Sequence, residues 1–244
     1  MHHILSAWAG EYKPVMYKFF TGGPVIVISD VEIVETIYTT KNCYFDKHPL
    51  VKQLCLCLTG ESILFTETTK EWKDARKIIS PSLYKGKLEG LTELTKETVK
   101  QSVKRFRSLI KDGEGCFDLI QEVNTTLVRV LLVCALGEDV SEEKIDYWRG
   151  CRKTQVSVAY SLRETFHQLI DRMTSVHVFF FPFMANTFLT PSERNLKANA
   201  KALRKLIGDI VDRRRSVLAN DPSQKNKGDF LTILLTEPFF MNNQ

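Results

Sequence analysis

The chain has 244 residues, of which 43% are hydrophobic and 26% are charged, and its formal net charge is +5. This composition is that of a globular protein with a sizeable core, and the weak, dispersed positive charge gives no electrostatic case for nucleic-acid binding. The six cysteines show no disulfide-like density, which indicates reduced thiols in an intracellular protein. No stretch reaches the roughly 20 apolar residues that a membrane-spanning helix needs, so the sequence predicts no membrane span.

The first third of the chain reads as a hairpin followed by a helix. The β-prone runs VMYKFF (15–20) and PVIVIS (24–29) flank TGG, which predicts two strands joined at the glycines. Ser29 is predicted to cap the next helix, with Glu32 completing a capping box. His48 precedes Pro49 and is expected to be extended, and the apolar residues 50–66 show no regular period.

The middle of the chain is predicted to be helical. Thr68 is placed as the cap of a short helix that ends before Pro81. Residues 88–111 carry an amphipathic helical stripe. Residues 117–136 are expected to form a mostly buried helix that ends at Gly137.

The last part of the chain also reads as helical. Residues 141 to about 175 are predicted to form a helix that opens at Ser141. A second helix has Thr190 as cap, Pro191 at the first position and Glu193 at the third, and runs to Asn220. The segment DFLTILLTEP adds a short final helix. The predicted fold is therefore mainly α with a small N-terminal β-hairpin.

Trp72 and Arg76 lie one helical turn apart and are both pure hydrogen-bond donors. No acidic residue stands three or four positions from Arg76. The pair suits a carboxylate or phosphate on a ligand or another segment. The alternative is a surface arginine that stacks on the tryptophan face.

Other patterns indicate no defined chemistry. The C-x-C at Cys55 and Cys57 lacks the second pair of a zinc site, and the chain contains no phosphate-binding glycine loop. The aromatic run VHVFFFPFMANTF (176–188) is either core or an exposed patch for a membrane or partner. The arginines at 213–215 are expected on a solvated face, with anionic lipid or a redox partner as the alternative.

Several segments, in order, resemble the N-terminal half of a eukaryotic microsomal cytochrome P-450, a haem-thiolate monooxygenase. They are LSAWAGEYKPVMYKFFTGGPVIVISDVEIVETIYT, NCYFDKHPL, GESILFTETTKEWKDARKIISPSL, FDLIQEVNTTLVRVLLVCALGED and LKANAKALRKLIGDIVDRRR. The W-x-x-x-R of the third segment carries most of the likeness. The resemblance implies a partial cytochrome P-450 fold, with residues 1–244 as a single incomplete domain.

The same resemblance implies the roles of several residues. Trp72 and Arg76 would hydrogen-bond a haem propionate. The complete protein would act on an apolar small molecule with electrons from a reductase, at the surface of the endoplasmic reticulum. The aromatic run would contact the membrane surface. Residues that would approach the substrate are Ile63, Leu64 and Phe65; those that would meet the membrane are Phe179, Phe180, Phe181 and Phe183.

The chain also departs from the family pattern. The haem-cysteine motif F-x-x-G-x-x-x-C-x-G, the helical E-x-x-R and the oxygen-activating A-G-x-[DE]-T do not occur in the 244 residues, and no N-terminal anchor segment is recognisable. Since the iron needs a thiolate ligand, we assign no catalytic residue and no metal ligand. We expect a truncated, inactive enzyme fragment that does not stably bind haem alone. The alternative is a helical scaffold protein that kept the half-fold without haem.

Overall fold

The structure is a computed structural model. It describes residues 2–12, 15–20, 23–80, 85–111, 118–173, 175, 177–178, 181–221 and 229–236. The described part divides into two compact units. The first combines Met1–Thr69 with Ile170–Thr187, and the second combines Lys70–Leu169 with Phe188–Gln244.

The described residues are mainly helical, with two antiparallel hairpins, in agreement with the mainly α prediction. The helices are α1 (His2–Glu11), α2 (Val31–Thr39), α3 (Pro49–Thr59), α4 (Lys70–Ile79), α5 (Lys85–Lys111), α6 (Leu119–Leu136), α7 (Val158–Met173), α8 (Pro191–Asn220) and α9 (Phe230–Thr236). The strands are β1 (Val15–Phe20), β2 (Gly23–Ile28), β3 (Lys144–Arg149) and β4 (Arg152–Ser157).

In the first unit, the predicted hairpin is present and the two following helix starts differ from expectation. Strands β1 and β2 pair antiparallel, from Val15 opposite Ile28 to Phe20 opposite Gly23. The cap of α2 is Asp30, whose carboxylate accepts the N–H of Ile33 at 3.0 Å, so the placement of Ser29 as cap was wrong by one residue.

Helix α3 lies where the sequence showed no regular period. His48 is extended, as predicted before a proline, and its ring Nδ1 accepts the N–H of Leu50 at 3.1 Å. Pro49 at the first helical position supplies a preset φ. Leu54 and Leu58 turn inward, and Leu54 packs with Val178 and Ala185 in the core of this unit.

In the second unit, a hairpin replaces the first half of the helix predicted for 141–175. Strands β3 and β4 pair from Lys144 opposite Ser157 to Arg149 opposite Arg152, and Gly150 turns the chain at φ +61°. Ser141 does not cap a helix: its hydroxyl donates to Asp139 at 2.6 Å, in a turn before the strand. The helical prediction was therefore wrong up to Ser157 and right for α7.

Helix α6 ends at Gly137 as predicted, with a left-handed φ of +72°. Its predicted burial was wrong, because only Leu132 and Leu136 are buried along the helix. Five large apolar side chains on α6 are exposed instead: Leu119, Ile120, Val123, Leu127 and Leu131. By length and composition α6 is also long and apolar enough to cross a membrane, a test that core helices pass as well.

Helix α8 is the longest described element and begins as predicted. The hydroxyl of Thr190 accepts the N–H of Glu193 at 3.2 Å, and the Glu193 carboxylate accepts the N–H of Thr190 at 3.0 Å. Its buried face packs on β3. There the fully buried amide of Asn199 bonds both the N–H and the C=O of Trp148, at 2.7 and 3.1 Å.

Candidate functional site

Helix α4 carries the two predicted cofactor-binding side chains and begins later than the sequence indicated. Thr68 is not its cap, because the N–H and hydroxyl of Thr68 both donate to Asp46, at 2.8 and 2.9 Å. These bonds, together with the N–H of Lys47, hold the pKa of the Asp46 carboxyl below its usual range. The helix therefore starts at Lys70, two residues after the predicted cap.

Trp72 and Arg76 are brought together on α4. The guanidinium carbon of Arg76 lies 5.1 Å from the centroid of the Trp72 ring, within the range of a cation–π contact. Arg76 is exposed and Trp72 is half-buried. Among the residues that the structure describes, Arg76 forms no ion pair, so its charge is available to an external anion. An exposed arginine stacked on the tryptophan face is the alternative that the sequence offered for this pair, and the binding of a propionate by Trp72 and Arg76 stays a prediction.

The three residues predicted to approach a substrate form one turn in the first unit. The N–H of Phe65 donates to the carbonyl of Ser62 at 3.1 Å, which closes the turn. The Lys47 ammonium donates to the carbonyls of Ile63 and Thr66, at 3.2 and 2.6 Å. Leu64, at the centre of this turn, is 67% exposed. The turn thus presents an apolar side chain from a backbone that a lysine holds in place.

The aromatic run predicted to be core or membrane-facing is partly exposed where it is described. Phe181 and Phe183 are 50% and 81% exposed, and their rings meet edge to face at 6.0 Å. Phe179 and Phe180 lie outside the described residues. The buried Arg172 fixes the end of this segment by donating to the carbonyls of Ala185 and Thr187, at 2.6 and 2.8 Å.

The cysteines offer no cluster for a metal within the described ranges. Cys43, Cys55, Cys57, Cys134 and Cys151 are free thiols. No group of three or more His, Cys, Asp or Glu side chains converges in the part of the chain that the structure describes. Burial raises the pKa of the Cys55 thiol, which disfavours the thiolate that a metal needs. Cys116 lies outside the described residues.

One polar centre in the second unit was missed by the sequence analysis. Arg214, expected on a solvated face, is buried, and it donates to the carbonyl of Leu136 at 2.8 Å. Its guanidinium also lies 4.0 Å from the buried carboxylate of Asp229, which caps α9 by accepting the N–H of Thr232. Gly137 fits beside this pair, since a Cβ there would come within 2.5 Å of Asp229.

The arginine run itself contained the indication of this centre. Three successive helical residues span about 200° of arc, so on a helix with a wide buried face one arginine of the run can point to the core. Arg213 remains at the surface and bridges to Glu138 at 2.6 Å, and Arg215 pairs with Asp212 at 3.4 Å. The prediction of a solvated face holds for these two residues and was wrong for Arg214.

Two curated relatives match nearly the whole of this chain but less than half of their own length. Oryzalexin E synthase of Oryza sativa subsp. japonica is 22% identical over 239 residues, covering 96% of this chain and 44% of that protein. Protopine 6-monooxygenase of Papaver somniferum is 23% identical and covers 96% of this chain and 43% of that protein. The chain thus spans less than half the length of these relatives.

The fold comparison and the family comparison agree. The crystal structure of the cytochrome P-450 CYP102L1 superposes with a TM-score of 0.65 at 15% identity, covering 95% of this chain and 48% of that one. This likeness shows the fold, a partial cytochrome P-450 fold. The family model for cytochrome P-450 matches residues 1–244, and the chain therefore belongs to the cytochrome P-450 family.

Proposed function

We propose that this chain is the N-terminal part of a haem-dependent monooxygenase whose complete form inserts one oxygen atom from O2 into an apolar organic substrate. Membership of the cytochrome P-450 family supports the reaction class. The single observation that carries the proposal is the donor pair on α4, where an exposed arginine stacks on a tryptophan one turn away.

The residues on α4 fit one part of a haem, its propionate. Arg76 would supply a positive charge and Trp72 an indole N–H to the same carboxylate, a charge-assisted arrangement. When bound, haem supplies the activation of O2. The role of these two side chains is to bind and orient the cofactor.

The turn at Ile63, Leu64 and Phe65 is proposed to contact the apolar substrate. Its backbone is fixed by the ammonium of Lys47, so its side chains would hold one position. Apolar side chains at such a place exclude water from a substrate and give it favourable burial. A backbone held by a lysine would keep that contact reproducible.

The residues present do not fit iron ligation. A thiolate ligand of this family comes from F-x-x-G-x-x-x-C-x-G, and none of the six cysteines has glycine four positions before it. We therefore propose that the 244 residues alone are catalytically inactive and do not hold haem stably. The exposed apolar side chains along α6 support this proposal, because such a face is ordinarily covered by further structure.

The proposed partners follow from the same family membership. A reductase would deliver electrons to the complete protein. Phe181 and Phe183 would touch the surface of the endoplasmic reticulum, since exposed aromatic side chains suit the membrane interface. Phe179 and Phe180 are proposed to share that contact on the basis of their sequence position.

Titration with haem and with its dimethyl ester tests the propionate assignment. Esterification removes the carboxylate charge and leaves the ring, so the ratio of the two affinities isolates the propionate contact. Both affinities are expected to be weak, but the unmodified chain should prefer haem at least tenfold, because a hydrogen bond to a charged group contributes about 1.5–3 kcal/mol. Arg76→Ala should abolish this preference, and Trp72→Phe should reduce it.

Lys77→Gln is the matched control, because it removes one positive charge from the exposed surface of the same helix. It should keep the preference for haem. A preference that survives Arg76→Ala, or that vanishes equally in the control, would refute the assignment of Arg76 to a propionate.

The reduced carbon-monoxide spectrum tests the claim of incompleteness. With haem supplied, the 244-residue chain should lack the band typical of thiolate-ligated haem, and a genuine band would refute the claim. The alternative of a haem-free scaffold protein predicts a monomer with sharp cooperative unfolding. The enzyme fragment predicts aggregation that grows with protein concentration, since apolar side chains on α6 are uncovered.

A further inference from the structure

The closed end of the β3–β4 hairpin sets two arginines directly opposite each other. Arg149 ends β3 and Arg152 begins β4, and they are Cα partners across a two-residue turn. Gly150, at φ +61°, takes the first position of this turn, and such a tight turn fixes the register of the strands. Residues that face each other across two strands project to the same side of the sheet. Two exposed guanidinium groups therefore start from Cα positions about 5.5 Å apart.

Another polar position on the hairpin has suitable partners, and the arginine pair differs from it. Asp146 accepts a hydrogen bond from the amide of Gln155, which lies opposite it, and pairs with the diagonal Lys153 at 2.6 Å. Within the described ranges, neither Arg149 nor Arg152 forms an ion pair. Like charges directly opposite each other destabilise a sheet. An anion bound between the two arginines would remove this repulsion.

Tyr160, in the first turn of α7, adds a neutral hydroxyl beside Arg149. The Nη2 of Arg149 donates to the Tyr160 hydroxyl oxygen at 3.1 Å. The Tyr160 ring meets the buried Tyr147 ring edge to face at 5.8 Å, and the guanidinium carbon of Arg163 lies 5.4 Å from its centroid. Since no residue in the described ranges accepts the Tyr160 hydroxyl proton, that proton is available to an anion. Arg149 is thus positioned by a side chain that can also contact its anion.

Other polar groups at the start of α7 already have partners. The guanidinium of Arg163 pairs with the carboxylate of Glu164 at 3.0 Å. The N–H groups of Val158 and Ala159 donate to backbone carbonyls of the turn before β3, at 2.9 and 3.0 Å. The donors that could hold an anion are therefore the two arginines and the Tyr160 hydroxyl, and the amino end of α7 is not itself the site.

We propose that Arg149 and Arg152 clamp the phosphoryl group of a small soluble phosphate, with the Tyr160 hydroxyl as a further donor. Each guanidinium presents a planar fork of N–H groups, and one carboxylate accepts only one such fork in the bidentate geometry. The phosphoryl group of a monoester has three terminal oxygens and a charge of about −1.5 to −2 at pH 7, which nearly matches two guanidinium charges. Both arginines are exposed, so the site is open to a soluble ligand.

Phosphorus-31 line broadening of inorganic phosphate by the 244-residue chain, at constant ionic strength, tests the clamp. The broadening should saturate with a dissociation constant of about 1 mM, since two charge-assisted contacts at an exposed site give modest affinity. Acetate should compete at least tenfold less well than phosphate. Arg149→Gln and Arg152→Gln should each weaken phosphate binding at least tenfold, because each removes a charged donor fork. Arg149→Lys keeps the charge and loses the fork, so its loss should be smaller.

Lys144→Gln is the matched control, because it removes one exposed positive charge from the other end of the same hairpin. Five residue steps along β3 place Lys144 about 17 Å from Arg149, beyond the Debye length of about 8 Å at 0.15 M salt. Phosphate binding should therefore change less than twofold. Circular dichroism should show the same secondary structure in every variant.

Glycerol phosphate is the second probe, because an ester and the free anion share the phosphoryl chemistry. Tighter binding of either one supports the clamp and distinguishes the two sources of the ligand. Broadening that does not saturate, acetate binding as tight as phosphate binding, or equal losses in Lys144→Gln and Arg152→Gln would overturn the proposal. These measurements contain no haem, so this proposal and the monooxygenase proposal fail separately.

Discussion

Helices α8 and α4 belong to the same compact unit. They differ in how many of their side chains are buried against the rest of the described chain. Helix α8 buries eight of its residues and is closed by a capping box. Helix α4 buries none, and its tryptophan and arginine meet each other rather than a core. The first helix packs its buried face within its own unit, and the second carries an exposed arginine that stacks on a half-buried tryptophan.

The two helices place the same side chain in opposite situations. Arg214 on α8 is buried because the carbonyl of Leu136 and the carboxylate of Asp229 meet it. Arg76 on α4 is exposed, and no described carboxylate meets its guanidinium. The comparison teaches that an arginine is structural or ligand-binding according to whether its own chain supplies the acceptors.

Removal of the buried arginine gives the largest expected effect. Arg214→Ala leaves the Asp229 carboxylate buried beside an empty space, and breaking a buried pair in this way costs about 3–5 kcal/mol in the free energy of unfolding. Urea unfolding followed by circular dichroism measures the loss. Arg215→Ala, which removes an exposed arginine paired with Asp212, should cost less than about 0.5 kcal/mol. Similar costs for the two variants would contradict the structural role of Arg214.

A methyl group at Gly137 should have the next largest effect. The new Cβ of Gly137→Ala would lie 2.5 Å from Asp229 and 2.7 Å from Arg214, at a φ of +72°. Clash and left-handed strain together should cost about 2–4 kcal/mol. Gly150→Ala is the matched control, because its φ is +61° but its Cβ would meet open space. Gly150→Ala should lower the free energy of unfolding by only about 1 kcal/mol, which is the cost of the left-handed backbone alone. Thermal unfolding of both variants measures the two losses, and their difference is the cost of the steric clash at Gly137.

The Asp139 carboxylate is expected to make the stability of the second unit depend on pH. Burial by itself raises the pKa of the Asp139 carboxyl, but hydrogen bonds from Ser141 and Arg129 outweigh it and hold the pKa below the ordinary value. A lowered folded pKa stabilises the protein above the unfolded pKa, and this contribution disappears as the pH falls below about 4.

The expected result is a pH-dependent difference between two proteins. At pH 7, Asp139→Asn should lower the free energy of unfolding by about 1 kcal/mol. The difference from the unmodified chain should shrink as the pH falls through the lowered pKa of the Asp139 carboxyl, because the folded carboxylate is then protonated too. Urea titrations at several pH values measure this, and a difference that stays constant with pH would exclude the charged carboxylate as its cause.

The smallest effect is expected on α4. Arg76→Gln should change the free energy of unfolding by less than about 0.5 kcal/mol, since within the described ranges the exposed guanidinium forms no ion pair and stacks on the Trp72 ring. A thermal melt compared with that of Lys77→Gln checks this. A loss above about 1 kcal/mol would show that Arg76 holds the fold together, and the contrast between α4 and α8 would then be wrong.

The sequence predicted those elements whose ends are set by local chemistry. The Thr190–Glu193 capping box and the left-handed Gly137 each act within a few residues, so a single sequence contains the whole interaction. The spacing of Trp72 and Arg76 on one helix face is local in the same sense. Their assignment to a haem propionate rests on family resemblance and stays a prediction.

The errors occurred where distant residues decide the structure or where a local hydrogen bond replaces the expected cap. Ser141 resembles a helix cap, but Asp139 takes its hydroxyl and the segment pairs as a hairpin against residues 152–157. Arg214 is buried because Leu136 and Asp229 approach from elsewhere in the chain. His48 caps α3 with its ring nitrogen, a residue type that cap preferences rank low. The spacing of hydrophobic residues along the sequence does not predict any of these contacts.

The side-chain amide of Asn199 has a consequence for how this chain would misassemble. An open strand edge offers unpaired N–H and C=O groups to other molecules and can seed fibres. Asn199 occupies both groups of Trp148 on β3, as a neighbouring strand would. That edge is therefore blocked near its C-terminal end by a helix side chain. The uncovered apolar side chains of α6 offer a different route of association between copies, one that needs no strand pairing.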